Sequence, residues 1–335
     1  MIRLSKIVAA IAGLLSLTAC EHEDEHPTVV PPVEIAKTVA PYAVNRTKLP
    51  GQIIHIAFDG SSSLPVWQDT LDFALEQDVK FTFFIVGTHL LNDDLATLYD
   101  PPRRKPGRSD VGFGGTKEEV EQRLNMLRRA YREGHEIAGH ANGHWDGTNF
   151  SYAEWTDELA QFHTFLTQAY TLNEIDNPNS AEWRRLVDSI IGFRAPLLAH
   201  NPAMYQALAD AGYKYDTSQV LKLTTTPDYQ ESGVVIYPLH SLSTARGRTI
   251  TMDYNFYVLD DGRVEGSGAN MLNAYQNHLR IAQDLGQAPI QIGHHFSRWN
   301  RGNYWWAVKE FIKTNCGNDN IRCMTFSERY KLETR

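Results

Sequence analysis

The sequence has few cysteines, no excess of positive charge and no long hydrophobic run, and each shortage excludes a class of protein. Its three cysteines in 335 residues form no Cys-x-x-Cys pair, which excludes the usual cysteine-rich zinc sites. A net charge of −8 argues against nucleic acid as a partner. No internal repeat or long low-complexity tract is present either. What remains is 42% hydrophobic residues, enough to bury one large core or two smaller ones.

The N-terminal apolar run, residues 7–17, is too short to span a bilayer comfortably. Arg3 and Lys6 precede it and Leu-Thr-Ala-Cys follows at 17–20, which is the layout of a secretory signal. This end resembles the lipobox of bacterial lipoproteins, in which Cys20 becomes the lipidated first residue; an ordinary signal peptide is the alternative. We therefore expect a lipoprotein signal peptide at residues 1–19 and an extracytoplasmic protein anchored to the membrane at the periplasmic face or cell surface.

Residues 20–50 are rich in Glu, Pro, Thr and Val without clean periodicity, which predicts a flexible tether. His22 and His26 within it match H-E-x-x-H, but no apolar helix surrounds them, so we interpret the pair as solvated. Once Cys20 is lipidated, Cys316 and Cys323 remain as an even pair. Export predicts a disulfide between them, with two free thiols as the alternative.

From residue 51 onward, short β-branched runs alternate with helix-like segments. The predicted strands lie at 53–59, 79–86, 136–139, 190–194, 234–237, 249–252 and 289–293. The predicted helices lie at 65–77, 117–133, 152–170, 202–211, 269–285 and 304–313, with a capping box at Ser151 and Glu154. This alternation predicts an α/β fold with a parallel sheet, and residues 51–335 have the length of a (β/α) barrel domain.

His140 and His144 stand four residues apart, as metal ligands often do. Thirteen histidines in 335 residues give roughly 0.5 such pairs by chance, so the spacing alone is weak evidence. The positions of other residues strengthen it. Asp59, Arg194 and His294 also fall at or just past predicted strand ends, where (β/α) barrels carry their chemistry.

Several short segments follow one another in a characteristic order. They are Ala-Phe-Asp-Gly-Ser at 57–61, Val-Lys-Phe-Thr-Phe-Phe-Ile-Val-Gly at 79–87, Gly-His-Glu-Ile-Ala at 134–138, His-Ala-Asn-Gly-His at 140–144, Arg-Ala-Pro at 194–196 and Ile-Gly-His at 292–294. This set resembles the motifs of the polysaccharide deacetylases, also called the NodB-homology domain or carbohydrate esterase family 4. The resemblance covers roughly residues 51–330 and implies a distorted seven-stranded deacetylase barrel that forms the catalytic domain.

The resemblance implies a hydrolase that removes N-acetyl groups from glycans with the help of a divalent metal, zinc or alternatively cobalt or nickel. His140 and His144 would bind the ion, which polarises the amide carbonyl and acidifies water. Asp59 would act as general base and Arg194 would orient it. His294 would be the general acid, because imidazole can carry a proton near neutral pH. His295 is expected to be structural.

The sequence departs from the family pattern at Gly60, where the family has a metal-binding aspartate. Asp59 would then act beside the metal as base or would itself be a ligand. Asp253 could supply the missing carboxylate from elsewhere. Trp145 and Trp299 are candidates for substrate contacts, since aromatic faces suit sugar rings. Asp253 is a further candidate for such a contact.

Peptidoglycan, chitin-like fragments and exopolysaccharide all fit as N-acetylglucosamine substrates of a monomeric enzyme. Two alternatives remain open at the level of sequence. One is a non-catalytic glycan-binding lipoprotein on the same fold, which Gly60 favours. The other is a small-molecule amidohydrolase of the allantoinase-like type.

Overall fold

The protein is described here by a computed structural model that covers residues 51–223 and 229–334. The predicted signal peptide, the lipidation site Cys20 and the tether at 20–50 lie outside the described residues. Inside the described ranges no helix combines the length and the apolar character needed to cross a bilayer.

The strands of the described ranges are short and mostly buried. In chain order, β1 to β12 are Gln52–Asp59, Thr82–Ile85, Glu136–Gly139, Gly192–Phe193, Tyr215–Asp216, Val220–Lys222, Tyr229–Glu231, Val234–Ile236, Leu239–Thr244, Gly247–Ile250, Ile290–His295 and Ile321–Cys323. Their β-branched and aromatic side chains suit a sheet covered on both faces, and every residue of β1 is buried.

The main sheet runs in the order β11-β1-β2-β3-β4-β5-β8-β7. All neighbours from β11 to β8 are parallel, whereas β7 pairs with β8 in the antiparallel direction and β12 adds to β1. The prediction of an α/β barrel fold is thus confirmed, with seven parallel strands side by side in the part of the chain that is described. In this arrangement β1 and β11 are adjacent, with Phe58 opposite His294 and Asp59 opposite His295.

Most helices connect strands of the main sheet and cover one of its faces, whereas the C-terminal helix packs against the opposite face. In chain order, α1 to α10 are Leu64–Glu76, Lys117–Arg132, Tyr152–Thr167, Ala169–Leu172, Ser180–Asp188, Pro202–Asp210, Asp253–Asp260, Ser267–Asp284, Asn303–Asn315 and Phe326–Glu333. The capping box predicted for α3 is present: the Ser151 hydroxyl accepts from the Glu154 amide, and the Glu154 carboxylate accepts from the Ser151 amide.

Alternate residues of β1 serve two different cores. Ile54, Ile56 and Phe58 pack in the apolar layer formed with the helices, whereas Ala57 lies among residues of the opposite face of the sheet. The same interior holds Phe326 of α10, whose ring stacks on His55 with centroids 4.3 Å apart. Because His55 and Asp59 share the face of Ala57, side chains at positions 55, 57 and 59 point into this interior.

The strand expected at 249–252 does not extend the parallel sheet. β10 instead forms an antiparallel pair with β9 in a separate three-stranded sheet, β10-β9-β6. A parallel bridge joins Met252 to Gly293 of β11, and α7 begins at the next residue, Asp253. Asp253 therefore lies in the first turn of a helix beside β11 rather than at the end of a barrel strand.

The two C-terminal cysteines are joined. Cys316, just after α9, forms a disulfide with Cys323 at the end of β12, with Cα atoms 5.5 Å apart. The bond ties the last helix of the outer layer to the strand that pairs with the start of β1.

Replacing both Cys316 and Cys323 with alanine is expected to lower the free energy of unfolding by about 2 kcal/mol, because the closed loop is short and the gain in chain entropy on opening it is modest. Urea unfolding of the double variant beside the wild type measures this difference. Wild-type protein in reducing buffer should match the variant, and equal stability of oxidised and reduced protein would contradict the prediction.

Candidate active site

Asp59 and Arg194 form a buried ion pair at the C-terminal end of the parallel strands. Nη1 of Arg194 donates to Oδ1 of Asp59 at 2.6 Å, and both side chains are almost fully buried. Nε and Nη2 of the same guanidinium donate to Thr217 at 2.8 Å and to Gln291 at 2.9 Å. With three of its donors fixed, the guanidinium holds the Asp59 carboxylate in one orientation.

His140 follows β3 directly and is held by the backbone of the next strand. Its Nδ1–H donates to the carbonyl oxygen of Arg194 at 2.7 Å, because a carbonyl can only accept. Nε2 is thereby left with its lone pair, the usual state of a metal-binding histidine. Burial lowers the pKa of His140 to about 3, against the smaller opposing effect of Asp59, so the imidazole is neutral at physiological pH.

The segment from His140 to Trp145, here called the histidine loop, is fixed by a buried glutamate. Glu158 of α3 accepts from the backbone amide of Asn142 at 2.9 Å and from the Tyr99 hydroxyl at 3.0 Å. That hydroxyl accepts in turn from the amide of Gly143 at 3.2 Å. Burial raises the pKa of Glu158 to about 7, although these hydrogen bonds act against it.

His144 has a left-handed backbone conformation, with φ of 58°, which is uncommon for a residue other than glycine. Its ring centroid lies 5.4 Å from that of His140. Nδ1 of His144 is buried without a hydrogen-bond partner in the described part of the chain. A carboxylate oxygen, Oδ2 of Asp110, lies 3.8 Å from this nitrogen. A loop with a strained backbone and a buried, unpaired imidazole nitrogen is typical of a binding site.

The donor set fits a divalent metal in its chemistry. Within residues 51–223 and 229–334, no three His, Cys, Asp or Glu side chains already stand close enough together to hold an ion. Even so, the two imidazole rings are neighbours, with centroids 5.4 Å apart. Nε2 of the neutral His140 ring retains its lone pair, and Nδ1 of His144 is buried and unpaired in the described residues. Neutral imidazole is a preferred ligand of zinc and related ions.

The two histidines at the end of β11 face opposite sides of the sheet. His294 lies on the helix side, with its ring centroid 5.9 Å from Phe58 and 6.3 Å from Tyr275. His295 shares its face with Gln291, which binds Arg194, and the side chain of His295 is about a quarter exposed. The structure therefore places His295, rather than the expected His294, on the face that carries Asp59 and Arg194.

The Asp253 carboxylate lies close to both histidines at the end of β11. Its Oδ1 lies 2.7 Å from Nδ1 of His295, and its Oδ2 accepts from the His295 backbone amide at 3.0 Å. Nδ1 of His294 lies 3.5 Å from the same Oδ2. Asp253 is almost completely buried, so its expected role as a substrate contact or a substitute metal ligand gives way to that of a histidine-orienting carboxylate.

The Asp253 pair changes the acidity of both partners. Burial acts to raise the pKa of the Asp253 carboxyl, but the imidazoles of His295 and His294 outweigh it and lower the pKa far below its usual value. Burial likewise acts to lower the pKa of His295, and here the Asp253 carboxylate prevails and raises it. His295 is thus favoured in its protonated form, as a general acid must be.

Two half-buried tryptophans lie close to these groups. Trp145 ends the histidine loop and carries the guanidinium of Arg104 over its ring at 3.8 Å. Trp299 lies with its ring centroid 5.1 Å from His295 and stacks on Tyr257 at 5.7 Å. Both indoles leave part of their surface exposed.

Sequence reasoning missed His295 as an inward-facing residue, although a signal was available. Ile290 and Ile292 are the aliphatic positions of β11, and side chains in a strand alternate. His294 continues the series of the isoleucines and faces the helices with them, which leaves His295 to continue Gln291 and Gly293. Asp110 was missed too, because no sequence pattern in the segment between β2 and α2 points to the histidine loop.

One comparison with known proteins identifies the family of this chain. A sequence profile of the polysaccharide deacetylase family matches residues 46–215, just over half of the chain. In fold, the chain is similar to a Mycobacterium smegmatis protein assigned as a polysaccharide deacetylase, with a TM-score of 0.56, 15% identity, and coverage of 88% of this chain and 95% of that one. No curated protein matches the sequence.

Two further solved structures show weaker similarity. One is the peptidoglycan deacetylase PdaC from Bacillus subtilis, with a TM-score of 0.45 and 12% identity over 85% of this chain and 92% of that one. The other is a family 4 acetyl xylan esterase from Clostridium thermocellum in complex with a cobalt ion, with a TM-score of 0.42 and 14% identity over 84% and 91%.

Proposed function

The chain belongs to the polysaccharide deacetylase family, and from this premise we propose that it is a metal-dependent hydrolase that removes acetyl groups from N-acetylglucosamine units of a glycan. One observation carries the proposal. A carboxylate oriented by an arginine, Asp59 with Arg194, shares one face of the sheet with an imidazole oriented by a carboxylate, His295 with Asp253. This arrangement offers a base and an acid for the same reaction.

Asp59 is the proposed general base. Its Oδ1 is occupied by Arg194, so the carboxylate is held in place while its other oxygen remains to accept a proton from water. A hydrolysis that begins with an attack by water on an amide carbonyl needs such an acceptor, because water at neutral pH is a poor nucleophile.

His140 and His144 are the proposed metal-binding residues. A divalent ion bound there would polarise the acetyl carbonyl and lower the pKa of water. Zinc suits the imidazole ligands best, and cobalt or nickel would also be accepted. The Arg194 carbonyl fixes the ring of His140 from behind.

His295 is the proposed general acid, in place of the His294 expected from the motif. The leaving group of amide hydrolysis is an amine, which must gain a proton as the C–N bond breaks. The Asp253 carboxylate raises the pKa of His295 against the effect of burial and orients the ring through Nδ1, so that Nε2–H is the proton to be donated.

The proposed substrate is a polymer whose sugar rings lie against the exposed parts of Trp145 and Trp299. Sugar rings have apolar faces that pack on indoles, and these two indoles are next to the proposed metal ligand His144 and the proposed acid His295. Peptidoglycan is the N-acetylated glycan that fits an anchored extracytoplasmic location, a location which rests on the lipobox-like segment ending at Cys20.

A non-catalytic glycan-binding protein on the same fold is the second candidate function. Gly60 in the position of the family's metal-binding aspartate is the observation that favours it. Chitin oligomers and exopolysaccharide remain alternative substrates, and a small-molecule amide is a third class.

Acetate release from N-acetylated glycans is the measurement that tests the proposal. Purified protein supplied with zinc, cobalt or nickel should release acetate from at least one of peptidoglycan, chitin oligomers and N-acetylated exopolysaccharide, and a chelator should abolish the release because the ion supplies the Lewis acid. Readdition of the metal should restore it. Binding of these glycans without any release of acetate would overturn the proposed deacetylase activity and favour the non-catalytic glycan-binding protein.

The two histidine pairs with the same spacing give a matched control for the metal. Replacing His140 with alanine should abolish stoichiometric metal binding, because it removes a neutral buried ligand. The double alanine variant of His22 and His26 should bind metal as the wild type does. Equal loss of metal in both variants would contradict the assignment of the site.

A further inference from the structure

There is open space at position 60, where the family has a metal-binding aspartate and this chain has glycine. Gly60 has φ of 86°, and no atom lies within 4 Å of the place where its Cβ would be. Imidazole ligands alone would leave both positive charges of a divalent ion without an anionic partner from the protein. Metal sites of this kind usually include an anionic ligand, so another carboxylate near the histidines is of interest.

Asp110 brings a carboxylate to His144 from a different part of the chain. Its Oδ2 lies 3.8 Å from Nδ1 of His144, the imidazole nitrogen that is buried and lacks a hydrogen-bond partner in the described residues. Two ligand atoms that bind one zinc tetrahedrally at about 2.1 Å lie about 3.4 Å apart, so the observed separation needs only a small adjustment. The Asp110 side chain is 56% exposed and has the freedom to make it.

The backbone around Asp110 is fixed to the histidine loop. The Asp110 amide donates to the carbonyl of Gly143, the residue before His144, at 2.9 Å. Ser109 lies 3.3 Å from the Thr88 hydroxyl, which itself donates to the carbonyl of Asn142 at 2.8 Å. The carboxylate is thus carried by a segment whose position is set by the same loop that carries the two histidines.

We propose that Asp110 is the carboxylate ligand of the metal site and takes the place of the aspartate that Gly60 lacks. This inference rests on the proposed metal dependence of the enzyme. It assigns a role in the site to the segment that contains Asp110, which lies between β2 and α2.

Metal binding by the purified apoprotein is the first test. Asp110→Asn and Asp110→Ala are each expected to weaken zinc affinity by about 10–100-fold, measured by calorimetric titration with chelator competition, and to change the visible absorption of the cobalt-loaded protein. Asp146→Asn is the matched control: it removes the same charge from an exposed aspartate two residues after His144 and should leave the affinity unchanged.

A restored ligand at position 60 provides the second test. Gly60→Asp in the Asp110→Ala background should recover most of the lost affinity, since aspartate tolerates a positive φ better than most residues and the space is open. Wild-type affinity in Asp110→Asn would overturn the proposal, because the amide could still accept a hydrogen bond from His144 but would be a poor ligand. A wild-type protein that binds no metal would overturn it as well.

The two readouts separate this proposal from the proposed function. Weakened zinc binding in Asp110→Asn, in a protein that releases no acetate from any glycan, would support Asp110 as a metal ligand. The same result would overturn the proposed deacetylase activity. Acetate release that depends on metal, together with unchanged metal affinity in Asp110→Asn, would overturn the role of Asp110 as a ligand and leave the proposed function intact.

Discussion

Replacing Asp59 with asparagine is expected to lower kcat for acetate release by about 10²–10⁴-fold, the usual contribution of general base catalysis. Asparagine keeps the shape of the side chain and can still accept a hydrogen bond from Arg194, but it cannot take a proton from water. One metal ion per chain should remain bound if Asp59 acts as base. Steady-state acetate release and metal analysis of the purified variant measure both quantities.

Asp146→Asn serves again as the control, because it removes an exposed carboxylate that contacts neither Arg194 nor the interior of the sheet in the described residues. It should keep wild-type kcat. Loss of the metal from Asp59→Asn would show that Asp59 is a ligand, the alternative that Gly60 leaves open, and full activity of the variant would overturn the role as base.

The second large effect is expected at His295. His295→Ala should lower kcat by about 10²–10⁴-fold with little change in KM, because it removes the proton donor for the departing amine and not a substrate contact. His294→Ala should lower kcat of the folded protein by less than about tenfold, since its ring packs against Phe58 and Tyr275 on the helix side. Thermal unfolding of both variants identifies the fraction that is folded.

The reverse order of effects, a catalytic loss in His294→Ala and none in His295→Ala, would restore the assignment made from the motif. The two variants are neighbours in sequence and remove the same group, so the comparison isolates the face of the strand as the cause.

The dependence of kcat on pH distinguishes an acid from a merely structural histidine. Asp253 raises the pKa of His295 in spite of burial, so Asp253→Asn should lower that pKa. A general acid works only while it is protonated, and a lower pKa means that the proton is lost at a lower pH. The alkaline limb of the pH profile should therefore move to lower pH in Asp253→Asn, and an unchanged limb would contradict the role of the pair.

Much of the fold follows from local patterns in the sequence. β1 and β3 lie where buried β-branched runs predict them, and α2, α3 and α6 begin at their predicted residues. These elements have strong local signals: continuous apolar runs for strands that are covered on both faces, and capping residues or proline at the starts of helices. β4 lies inside the strand predicted at 190–194, whereas the two-residue strand β5 has no such signal and forms because β4 and β8 pair with it.

The residues of the site were mostly predictable, whereas their directions and partners were not. Asp59, His140, His144 and Arg194 belong to ordered motifs, and each lies at the end of the sheet that a (β/α) barrel predicts. The prediction for Asp253 assumed a strand end, but β10 pairs with β9 in the separate sheet and α7 begins at Asp253. Its contact with His295 spans 42 positions in sequence, a distance over which no local pattern carries information.

Local patterns were sufficient to predict the α/β class, the positions of most main strands along the chain and the kinds of chemical group at their ends, because periodicity and motifs depend on neighbouring residues. Three features followed from long-range contacts alone: which of two adjacent histidines faces Asp59, the orientation of that histidine by Asp253, and the position of Asp110 beside His144. These contacts depend on the register of β1 against β11 and on the backbone hydrogen bond between Asp110 and Gly143. They join residues far apart in the chain, and only the packed fold brings such residues together.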